Sequence, residues 1–80
     1  MEKNIFRYFV EGETFTLRTP WDINTLEYVA EDAAQDYFDN HDGRESSWPL
    51  AFAIFDESFN ELGRYVVDME AVPQFWAIKI

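Results

Sequence analysis

The sequence predicts an α+β domain, a mainly antiparallel five-stranded sheet with one helix packed on one face, in the order ββαβββ. Three observations predict it. Short β-rich runs bounded by turn residues recur on both sides of a single segment with helical periodicity, and 80 residues allow only one core, so residues 1–80 form one domain. No repeat, linker or low-complexity tract divides the chain.

The first run, Ile5 to Val10, is apolar and aromatic, and Glu11-Gly12-Glu13 supplies a turn into Thr14-Phe15-Thr16-Leu17-Arg18. Alternation there sends Phe15 and Leu17 to one face and Thr14, Thr16 and Arg18 to the other, a half-buried antiparallel strand. Asn24 followed by Glu27 three positions on resembles a capping box, and Gly43 is a plausible stop, giving a helix of about 17 residues. On a 100° wheel Leu26, Val29, Ala30, Ala33, Ala34 and Tyr37 gather in one arc of roughly 140°, the buried stripe.

After a polar loop, Leu50 to Phe55 is apolar at both parities, which predicts a central strand covered on both sides. Asp56 to Gly63 reads as a hairpin loop, and Arg64 to Met69 as a strand with Tyr65, Val67 and Met69 on one face. Gln74 to Ile80 forms the last strand, at an edge, where Pro73 and Lys79 are tolerated. The expected core is Phe6, Tyr8, Phe15, Leu17, Leu26, Val29, Ala33, Tyr37, Phe52, Ile54, Tyr65 and Val67.

Composition narrows the function. Sixteen acidic and six basic side chains give a net charge of −10, while 48% hydrophobic and 19% aromatic residues ensure folding. Direct binding to nucleic-acid phosphates or anionic membranes is disfavoured, and a positively charged protein partner is favoured. The absence of cysteine excludes disulfides, thiolate nucleophiles and cysteine-held metal centres. The opening residues form no signal peptide, and the longest apolar run, Leu50 to Phe55, falls far short of the ~20 residues that span a bilayer; a cytoplasmic location is expected.

The helix carries the strongest signal. Between Arg18 and Arg44 stand Asp22, Glu27, Glu31, Asp32, Asp36, Asp39 and Asp42, without one lysine or arginine. The six from Glu27 onward fall in the half-circle opposite the alanine stripe, about one carboxylate per 4 Å of axis, close to the ~3.4 Å spacing of phosphates along a DNA strand. Acids three or four residues apart repel, and those near the helix C-terminus also oppose its dipole, so stability alone does not select the pattern. Tyr28 and Phe38 lie in the same half-circle and are expected to face solvent or a covering loop, as anchors within a charged ring. The candidate partner-binding residues are therefore Glu27, Tyr28, Glu31, Asp32, Asp36, Phe38, Asp39 and Asp42.

Other sites fail on their spacing. His41, between Asp39 and Asp42, lacks zinc-site spacing, and is read as part of the helix cap. Aligning Gly43 with the glycine of a calcium loop puts Phe38 and Pro49 where oxygen ligands are required. Ser46, Ser47 and Ser58 sit in no nucleophile elbow, and 80 residues leave little room for a carboxylate-lined cleft. No enzyme activity, cofactor or metal is expected.

A short, cysteine-free, acidic α+β chain bearing Glu-Asp-Ala-Ala-Gln-Asp-Tyr-Phe on one helix resembles small phage and mobile-element inhibitors, the anti-CRISPR proteins and other DNA mimics. The resemblance covers size, charge and the segment from Asp22 to Asp42. It implies a non-catalytic inhibitor that occludes the basic surface of a nucleic-acid-binding enzyme or effector complex. An antitoxin or immunity-type nuclease inhibitor shares the same physics. The alternative is an accessory or structural interaction domain whose acids only confer solubility. A homodimer through the edge at Gln74 to Ile80 is a further expectation.

Overall fold

The computed structural model describes residues 4–69 and 75–80, apart from the side chains of Asp42 and Trp76. Five strands, β1 (Asn4–Val10), β2 (Glu13–Thr19), β3 (Leu50–Phe55), β4 (Glu61–Met69) and β5 (Phe75–Lys79), form one antiparallel sheet in the order β2-β1-β3-β4-β5. The helix α1 (Leu26–Asn40) lies across one face of it. The fold is thus α+β, with the expected ββαβββ order, β3 at the centre and β5 at an edge.

Local chemistry explains each junction. Glu11 (φ 49°) and Gly12 (φ 84°) both occupy the left-handed region between Val10 and its partner Glu13, the two-residue turn whose twist matches a hairpin. The helix entrance is set one step earlier than Asn24 and Glu27 suggest. Asp22 accepts from the Asn24 N–H at 2.9 Å while the Thr25 hydroxyl accepts from the Asp22 N–H at 3.2 Å, capping a 3-10 turn, Ile23–Thr25, that feeds α1. The helix has 15 residues and stops at Asn40; His41 is its C-cap, donating its N–H to the Tyr37 carbonyl at 3.1 Å.

Gly43 does not end the helix but lies in a second 3-10 turn, Asp42–Arg44, tucked against it. A Cβ there would stand 2.5 Å from the Phe38 Cα, so close backbone approach is what requires glycine. The loop that follows is closed by Trp48, whose indole N–H donates to the Gly43 carbonyl at 2.9 Å and whose ring stacks on Phe52. The β3–β4 connection is shorter than the expected Asp56 to Gly63, because Gly63 already pairs with Ile54 and Glu61 with Phe55, the register shifting past Leu62 at a bulge. Asp56 organises it by accepting from the backbone N–H groups of Ser58 and Asn60.

The core lies between helix and sheet. Val29, Ala30, Ala33, Ala34 and Tyr37 bury one helix stripe against Phe6, Tyr8, Val10, Leu17, Phe52, Ile54, Tyr65 and Val67. The small alanines bring the helix close to a layer of interlocking rings, with Tyr8 5.4 Å from Phe15 and 5.8 Å from Phe52. Phe15 and Leu26, expected in the core, are half-buried at its margin, while Val10, Ala30, Ala34 and Phe38 join it.

One expectation is overturned. β3 is covered on a single side: Phe52 and Ile54 face the helix, but Ala51 is exposed and Ala53 and Phe55 are only half-buried on the opposite face. Both parities are apolar because the open face of the sheet is itself apolar along β3. Arg7, Arg18 and Arg64 stand on that face by strand alternation, so the arginines of the sheet lie on the side away from the acids of the helix, whereas Lys79, the partner of Tyr65, is on the helix side.

Candidate protein-binding face

The helix wheel spreads the acids over half a circle, and the structure resolves that half-circle into a crest and two flanks. Glu27 and Asp39 are exposed, Asp32 and Asp36 run along the flank toward β1 and β2, and Glu31 leans toward β5. Asp42 lies in the 3-10 turn beyond the helix, and its side chain is outside the described ones.

The flanking carboxylates are not free. The Tyr8 hydroxyl donates to Asp36 at 2.6 Å, and the Thr19 hydroxyl, wholly buried, donates to Asp32 at 2.6 Å. Glu31 accepts from the Ala77 backbone N–H of the edge strand at 3.2 Å. On the crest, Gln35 donates to Asp39 at 2.8 Å, while Asn40 donates to the second oxygen of Asp36 at 2.9 Å. Every one of these donors is neutral. Hydrogen bonds from neutral donors fix a carboxylate without cancelling its charge, so the array is held rigid and remains anionic.

Among the described residues, cations touch it only at the C-terminal end. Arg44 approaches Asp39 at 3.9 Å, both side chains being well exposed, which makes the pair weak. The His41 ring stacks on Phe15 with centroids 3.8 Å apart and stands 3.6 Å from Asp36, so it adds positive charge there only when protonated.

Electrostatics register the crowding. Burial raises the Glu31 carboxyl above its usual value, the Ala77 N–H opposes this, and Glu27 and Asp32 raise it further. Burial, the bond to Asp36 and the charge of Asp36 push the Tyr8 phenol far above its ordinary value, so it stays a donor at any physiological pH.

The two aromatics divide. Tyr28 is 42% exposed and leans on Trp21, with ring centroids 4.8 Å apart, an apolar step beside the crest. Phe38, expected to face solvent or a loop, is instead buried: Phe75 meets its ring edge-on at 5.8 Å and the Arg44 guanidinium lies over it at 4.8 Å. Its wheel position borders the stripe, and β5 reaches far enough across to cover it. Phe38 is therefore a packing residue, and the outward face consists of Glu27, Tyr28 and Asp39 with the exposed edges of Glu31, Asp32 and Asp36.

The tethers themselves escape a reading of the helix alone. Their signals sit in the strands, where Tyr8 and Thr19 share the inward parity of Phe6 and Leu17 and carry hydroxyls that need partners. No buried side-chain polar atom among the described residues lacks one. Among the described residues no three acids or histidines assemble into a metal-holding group, and no helix is long and apolar enough to cross a membrane. A scan against protein-family models, a search of curated proteins and a search of solved structures each give no match.

Proposed function

We propose that this chain is a non-catalytic, protein-binding inhibitor whose acidic helix docks on the basic nucleic-acid-binding surface of an enzyme or effector complex, in the manner of phage-encoded anti-CRISPR proteins and DNA mimics acting in the cytoplasm. One observation carries the proposal: Asp32, Asp36 and Glu31 are positioned by hydroxyl and amide donors, not by lysine or arginine. Charge held in register but left unneutralised is what a mimic of a phosphate row needs. Prepositioned carboxylates also lose little side-chain entropy on docking. Long-range attraction sets the association rate, and Tyr28 supplies apolar contact.

A second reading has its own support. Asp32, Asp36 and Glu31 each satisfy a donor of the sheet, which gives three of the acids a structural reason and fits an accessory interaction domain with a solubilising surface.

One experiment separates the two. Glu27→Gln, Asp32→Asn, Asp36→Asn and Asp39→Asn are combined, keeping one acceptor oxygen on each side chain while removing four charges. Proteins captured from host lysate by the parent chain should be displaced by duplex DNA and lost from the variant. Capture that survives both neutralisation and competing DNA discards the mimic in favour of the accessory domain.

A further inference from the structure

We infer that the uncovered face of the sheet is a self-association surface, through which two copies form a symmetric, face-to-face dimer with both acidic helices on the outside. The face opposite α1 carries an apolar band among its charged residues, with Phe9, Ala51, Ala53, Phe55, Ile78 and Ile80 on three different strands and the C-terminal residue; Phe9, Ile78 and Ile80 are 44%, 62% and 72% exposed. Contiguous apolar surface of this kind is uncommon on a monomer. Ala51 and Ala53 lie in a groove of about 270 Å³ that Phe9, Phe55, Arg64 and Ile80 also line, room for side chains of a facing surface.

Charge selects a second copy as the occupant. In a chain of net charge −10, this face carries Arg7, Arg18 and Arg64 against Glu61 and Asp68, so it is where two like-charged molecules repel least. Register adds complementarity. Arg7 on β1 and Glu61 on β4 are the two neighbours of Phe55, one on each side of β3, and Phe9 and Arg64 flank Ala53 in the same way. A two-fold axis running along β3 therefore sets Arg7 of one copy opposite Glu61 of the other, which also bonds Arg64 of its own copy at 3.1 Å, and Phe9 opposite Arg64, with Ala51, Ala53 and Phe55 on the axis.

The area suffices. Five strands of about six residues give a footprint of roughly 24 by 20 Å, so two faces bury on the order of 1,000 Å², where biological interfaces begin, before side-chain relief is counted. The sheet edge is a poorer route to a dimer, since Glu31 already occupies the outward Ala77 N–H of β5.

Sedimentation equilibrium up to about 100 μM, a concentration that populates a modest interface, should give twice the 9.5 kDa chain mass. Ala51→Glu places a charge on the axis at an exposed position. It should weaken self-association about 100-fold while the far-UV circular dichroism is unchanged. Arg7→Glu should likewise weaken it, and Arg7→Glu with Glu61→Arg should restore it, a readout independent of how Ala51→Glu folds. A monomer throughout the range overturns the inference. So does a dimer indifferent to Ala51→Glu and to the charge exchange, which would place the contact at the strand edge.

Discussion

The Tyr8 hydroxyl, on a side chain with no exposed surface at the centre of the sheet, donates at 2.6 Å to Asp36 on the flank of the helix. The bond ties a core strand to the acidic face, and it joins a neutral donor to a charged acceptor, the stronger class of hydrogen bond. Tyr8→Phe should therefore lower stability by about 1.5–3 kcal/mol. Urea denaturation should show a lower midpoint with unchanged slope. Asp36→Asn, which keeps an acceptor, should cost less, and a double-mutant cycle should give a coupling energy of the same sign.

Glu31 makes a pH-dependent prediction. Its carboxyl is raised in the folded state above the ordinary 4.5, first by burial, so the fold binds its proton more tightly than the unfolded chain does. The ionised form at neutral pH is thus a penalty, relieved as pH falls through the raised value and gone below the ordinary one. Glu31→Gln retains an acceptor for Ala77 and should raise the melting temperature at pH 7. The difference should shrink to nothing as pH drops below 4.5. Thermal melts across that window check it.

Gly43→Ala should destabilise by about 1–3 kcal/mol, because the added methyl meets backbone, which cannot rotate away. The readout is the melting temperature, along with the fluorescence of Trp48, whose indole bonds the Gly43 carbonyl.

Added salt should raise the melting temperature. Acids outnumber bases sixteen to six, and the one cation close to a helix carboxylate, among the described residues, forms a weak exposed pair, so screening removes more repulsion than attraction. Calorimetry from low to moderate ionic strength tests this, and replacing sodium chloride by other salts of the same strength should leave the trend intact.

Fold and face were legible to different depths. Alternation in Thr14 to Arg18 and the alanine stripe of the helix carry period information strong enough to fix the strands, the helix and the buried set around Tyr8 and Val29. Leu50 to Phe55 misleads, because an apolar strand reads alike whether its second face meets a layer of its own chain or is left open. The helix cap moved from Asn24 to Asp22 because a 3-10 turn precedes the α-helix, and one-dimensional spacing does not separate the two. Phe38 and the tethers of Asp32 and Asp36 depend on which strand lies beneath each border of the helix, information that resides in sheet order.

In a single chain, Arg7, Arg18 and Arg64 against Glu61 and Asp68 on one side of the sheet, and the helix carboxylates on the other, give the molecule a built-in sense of direction. In the field of a cationic surface it experiences a torque as well as a pull, and turns helix-first while solvent still separates the two. Orientation is then settled before contact, and fewer collisions are wasted.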